Sequence, residues 1–159
     1  MIARVIATVS AVLIAGLLLF NMASPRADNE DGIVRVKSAY AMPETINRLK
    51  QDIATKGIVF FSTVDQSKLA AEAGIKLRPS TLLVFGNPAL GSLFITSNPQ
   101  AGLDWPVRLL VQEDEKGQVW ATYTDFAWIA RRHRITDRQD AFKMASNVIA
   151  SITSSVQAK

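Results

Sequence analysis

His133 is the single histidine of the chain, and it stands in the run Arg131-Arg132-His133-Arg134. Paired with a carboxylate or with Tyr123, an imidazole could move protons as a general acid or base. As a metal ligand it has no company. The chain contains no cysteine and no second histidine, metal sites usually gather three or four donors, and three neighbouring arginines repel a cation. The same arginines suit an anion, and they equally suit a solvated helix end, where the dipole favours positive charge. Asp65, Asp104 and Asp125 are carboxylates beside turns or caps. Any two brought together would make an acid–base pair, although helix capping already explains Asp65 and Asp125. Ser92 follows Gly91 outside a Gly-x-Ser-x-Gly setting, with His133 as its only imidazole base. No phosphate-binding glycine loop, dinucleotide fingerprint or His-Glu-x-x-His occurs. These residues name no catalytic set, no metal site and no cofactor.

The more distinctive pattern is Arg78-Pro79-Ser80-Thr81-Leu82-Leu83-Val84-Phe85-Gly86-Asn87-Pro88-Ala89-Leu90-Gly91. Residues 82–85 form a short apolar run that reads as a strand buried on both faces. It stops at Gly86-Asn87-Pro88, where glycine and asparagine tolerate left-handed backbone and proline suits the first turn of a helix. A strand ending in a tight turn that launches a helix is a common place for a ligand, and also an ordinary way to change direction. A pocket there would involve Phe85, Gly86, Asn87, Pro88 and Gly91, with Trp105, Pro106, Tyr123 and His133 as candidate walls. Trp105, Trp120, Tyr123, Phe126 and Trp128 supply aromatic surface that serves either a pocket or the core. Arg78 reads as a surface or strand-start residue.

With Leu103-Asp104-Trp105-Pro106 and Val119-Trp120-x-x-Tyr123 downstream, this stretch resembles the DUF302 family, a domain of unknown function, over residues 33–156. The resemblance implies a TATA-binding-protein-like α+β fold, one antiparallel sheet packed by helices, and a homodimer. Family members often carry Asp-His after the second strand. Here the pair is Asp65-Gln66, so no role for that histidine carries over.

The elements that must position these residues follow from local pattern. Residues 33–38 alternate as a half-buried strand. A helix opens at Pro43 and Glu44, carries Ile46, Leu49, Lys50 and Ile53 on one stripe, and stops at Gly57. Residues 58–64 form a second strand with Phe60 and Phe61 on opposite faces, and Asp65 caps a short helix closed by Gly74. The central strand runs over residues 80–85, residues 88–95 form a helix or loop, and residues 98–102 form a loop. Residues 107–112 and 118–124 make a hairpin through a polar turn ending in Gly117. Asp125 caps a helix through about Arg132. The last helix has a sheet-facing stripe of Ala141, Met144, Ala145, Val148, Ile149, Ile152 and Val156. Adjacent strands with helices gathered elsewhere predict α+β rather than a doubly wound sheet.

Residues 1–27 are a separate object, ahead of a single domain at 28–159. Arg4 precedes an uncharged run over residues 5–20, which residues 21–23 could extend to a membrane span at 5–23. An uncleaved inner-membrane anchor with the domain exported is the first reading, and a secreted protein after signal cleavage is the second. Without Arg4 and Arg26, residues 28–159 hold 16 basic and 14 acidic side chains, so charge implies no nucleic-acid partner. The expected function is an exported, membrane-associated, non-catalytic module that binds a small molecule or a protein. The rival is an enzyme using His133 with a carboxylate or Tyr123.

Overall fold

A computed structural model describes residues 31–158. The expected anchor or signal segment, residues 1–27 with its span at 5–23, lies outside them. Among the described residues no helix is long and apolar enough to cross a membrane.

The elements are β1 (Ile33–Lys37), α1 (Met42–Thr55), β2 (Val59–Asp65), α2 (Gln66–Glu72), β3 (Ser80–Gly86), α3 (Pro88–Ser97), a 3-10 turn (Pro99–Leu103), β4 (Val107–Glu113), β5 (Val119–Thr124), α4 (Phe126–Arg132) and α5 (Gln139–Ser154). The five strands make one antiparallel sheet in the order β1-β5-β4-β3-β2. This is the expected α+β architecture. The middle strand is β4, not β3, because β3 pairs outward with β2, the edge strand before it.

Side chains along the inner strands alternate between two environments. Leu83, Phe85, Leu109, Val111, Ala121 and Tyr123 are buried, and they join Leu49 and Ile53 of α1 and Ala145, Ile149 and Ile152 of α5 in one core. Leu82, Val84, Leu110, Trp120 and Thr122 point the other way and are half-buried. The expectation that residues 82–85 are buried on both faces is therefore corrected. An antiparallel sheet with one covered face gives this alternation, and the run looked continuous only because its outward positions are apolar as well.

Two other local readings change. Residues 98–102 are not loop but mostly a 3-10 turn, started by Pro99 and by the Asn98 side chain, whose Oδ1 accepts from Gln100 N–H at 2.9 Å. On α5, Ala141, Ala145, Ile149 and Ile152 are buried as expected, but Met144 is 58% exposed. The buried stripe turns toward Phe142, whose ring stacks on Phe94 of α3 with centroids 4.1 Å apart. In β2 the pairing register shifts between Phe60 and Ser62, and both Phe60 and Phe61 are exposed at this sheet edge.

The β4–β5 hairpin forms as predicted. Gly117 takes φ +72°, and Asp114 holds the turn by accepting from the N–H groups of Lys116 and Gln118 and from the Trp120 indole. The indole bond, then the Gln118 amide, holds the Asp114 carboxyl below its ordinary pKa.

Candidate functional site

The β3–α3 turn is built from its own residues. Asn87 caps α3, its Oδ1 accepting from Leu90 N–H at 3.2 Å, and Pro88 fills the first helical turn, where its missing N–H leaves nothing unpaired. Gly86 does not adopt the left-handed backbone that its place in the turn suggested; among the described residues the glycines with positive φ are Gly32, Gly57, Gly74 and Gly117. It is needed for space. A Cβ on Gly86 would lie 2.9 Å from Trp105 Nε1, and a Cβ on Gly91 only 2.1 Å from the same atom. The Trp105 indole therefore rests against two glycine backbones, one at the end of β3 and one inside α3. Phe61 meets the indole edge-on, 6.1 Å between centroids at 81°.

Under this indole is a cavity of about 40 Å³. Phe85, Gly86, Asn87, Gly91 and Trp105 border it, as the sequence suggested, together with Phe94, Ile149 and Ile152. Its walls are almost wholly apolar, with Asn87 as the polar exception. It adjoins a groove of about 620 Å³ that shares Ile58, Asn87, Leu90 and Val148 with it and has Lys56, Asp140, Lys143 and Asn147 on its rim. The α5 residues among the walls were read from sequence as core alone. Their contribution to a cavity had no local signal, since a core stripe and a pocket wall have the same periodicity.

The other predicted residues lie elsewhere. Pro88 starts α3 without reaching the cavity wall, and Pro106 follows Trp105 through a cis peptide bond. Tyr123 is buried in the core, opposite Val34 of β1. Arg78 is exposed and pairs with Glu115 at 3.3 Å.

His133 corrects its reading as part of a solvated helix end. It is 5% exposed, and Nε2 stands 2.6 Å from Oδ2 of Asp104, itself 8% exposed. Arg132 donates to both oxygens of the same carboxylate at 3.2 Å, and Arg108 reaches it at 3.4 Å. Asn98 completes the joint by donating to the His133 backbone carbonyl at 2.8 Å. A carboxylate out of water needs such partners, and the imidazole and guanidinium supply them. The pair ties the 3-10 turn to the end of α4, and it fixes Asp104, the residue just before Trp105. Neither Asp104 nor His133 borders the cavity or the adjoining groove. Among the described residues no three carboxylate or imidazole groups stand together as a metal-binding set.

Comparison with known proteins bears on the family and the fold. The family model described as "Domain of unknown function DUF302" matches residues 34–152. A crystal structure of the uncharacterized conserved protein DUF302 from Bacillus stearothermophilus superposes with a TM-score of 0.73 at 16% identity, covering 79% of this chain and 98% of that one. Two proteins named Fluoride-specific ion channel FluC 1, from Brucella suis biovar 1 (strain 1330) and Brucella abortus biovar 1 (strain 9-941), are each 40% identical over 106 residues. Those matches take in 67% of this chain but only 42% and 39% of the relatives' lengths.

Proposed function

The chain belongs to the DUF302 family, and on that footing we propose that it is a non-catalytic binding domain that takes the apolar end of a small amphipathic molecule under Trp105. The observation that carries this reading is that an apolar cavity and a larger groove share Ile58, Asn87, Leu90 and Val148 as lining. The cavity of about 40 Å³ accepts only a tip, while the adjoining groove of about 620 Å³ has amide and charged groups on its rim for a polar remainder. The Asn87 amide lies where the two meet. The rival reading, an enzyme using His133, gains a carboxylate in Asp104, but neither residue lines the cavity or the groove beside it. Tyr123 stands apart from it in the core.

The domain is held at the outer side of the inner membrane by residues 5–23, with Arg4 inside, and it works as a homodimer. Relatives 40% identical over 106 residues are named as ion channels, and that name is in keeping with a domain kept at a membrane.

A chain that keeps Trp105 as its only tryptophan (Trp120→Phe, Trp128→Phe) tests the binding reading. Titrated with straight-chain alcohols from butanol to decanol, its emission should shift saturably. Affinity should rise about fourfold, the equivalent of about 0.8 kcal/mol, for each methylene that enters the cavity, and by less for each one added after the tip is filled. An emission indifferent to the alcohols, or affinity indifferent to chain length, would reject the reading.

A further inference from the structure

We propose that a second groove, between α4 and α5 and sharing Lys143 with the rim of the first, binds the phosphate group of an organic phosphate. The groove measures about 570 Å³ and is lined by Arg131, Arg134 and Lys143, with no carboxylate among the described residues of its walls. Thr136, Gln139 and Ser146 add neutral hydrogen-bonding groups, and Ile135 and Phe142 give it an apolar floor. Several cations beside neutral donors match a multiply charged group with many acceptor oxygens, and the floor suits an organic substituent.

Ordinary helix electrostatics do not account for this arrangement. The dipole favours Arg131, in the last turn of α4, but Lys143 lies past the first turn of α5, where a helix end no longer acts. Arg134 is the stronger sign. The end of α4 closes with Ile135 N–H bonded to Ala130 C=O at 2.9 Å and Arg134 N–H bonded to Arg131 C=O at 3.1 Å. That pair of bonds places Arg134 at the left-handed position where helices usually put glycine, and its φ is +54°. It is the sole non-glycine residue with positive φ among the described residues. A side chain kept where glycine would be less strained implies a use for that side chain, and Arg134 lines the groove.

The test uses the full chain in a non-ionic detergent and isothermal titration with inorganic phosphate, sn-glycerol 3-phosphate and monomeric dihexanoylphosphatidylglycerol, with glycerol as the uncharged control. Binding of either soluble phosphate would identify a free phosphate ligand, and binding of the short-chain lipid alone would identify a headgroup. Both outcomes support the site, provided Arg134→Gly weakens binding at least tenfold while its melting temperature is equal to or above that of the parent. Lys143→Gln should weaken it as well. The proposal is overturned if none of the three binds, or if Arg134→Gly binds as tightly as the parent chain.

Discussion

Gly91 lies inside a helix, where alanine is ordinarily the better residue by about 1 kcal/mol. Here the sign should reverse, because the new methyl would enter the Trp105 ring. Gly91→Ala is expected to destabilise by about 1–3 kcal/mol in denaturant melts of unchanged m-value. In a Trp105→Ala background the same change should be neutral or stabilising, and that coupling isolates the indole as the cause. Asn87→Ala should cost about 1 kcal/mol as a lost helix cap. The Asp104 carboxylate offers a second contrast. His133→Ala removes its buried partner and should cost roughly 3 kcal/mol, whereas Arg132, whose side chain is 45% exposed, should cost about 1 kcal/mol or less when replaced by alanine. Equal losses would mean that the buried pair does not hold the 3-10 turn. At this scale the sequence was legible where the reason is local. Asn87 as a cap and Pro88 in the first turn could be read from residue type. Gly86 could not, because glycine serves both left-handed backbone and close approach, and the indole that decides between them comes from a later segment. His133 was misread for the same reason, its partner being 29 residues away.

Elements repeat the lesson with different residues. The β4–β5 hairpin was legible because its turn chemistry and its strand alternation lie in one stretch. The phase of α5 was only partly legible. Its stripe is a property of the helix, but the neighbour that draws it round is Phe94, which no periodicity within α5 reveals. Ile149→Ala should therefore cost about 2–5 kcal/mol, and Met144→Ala no more than about 0.5, both read from thermal or urea melts. The hairpin adds a pH dependence. Asp114 is ionised more readily in the fold than its ordinary value of 3.8. Its contribution is thus complete above that value and is lost as pH falls through the lower folded pKa. Asp114→Asn should flatten the acid limb of the stability–pH curve below about pH 4. A limb of unchanged slope would show that the carboxylate does not act through its charge.

Over the whole molecule, an antiparallel sheet packed by helices followed from the order of the elements and the family resemblance, while the fact that only one of its faces is covered did not, because the apolar run at residues 82–85 read as buried on both. The membrane placement makes its own prediction. A carboxy-terminal alkaline phosphatase fusion of the full chain should be active in a bacterial host and should fractionate with membranes, and an inactive fusion would contradict export. The binding reading is tested most directly by locating a ligand on the folded chain. With decanol added to isotopically labelled protein, the terminal methyl of the probe should give intermolecular NOEs to the methyl groups of Leu90, Ile149 and Ile152 and to the Trp105 ring, and Val148→Trp should abolish them by filling the shared wall. Contacts confined to Leu82, Val84 and Leu110 on the open sheet face, or no contacts at all, would contradict the account.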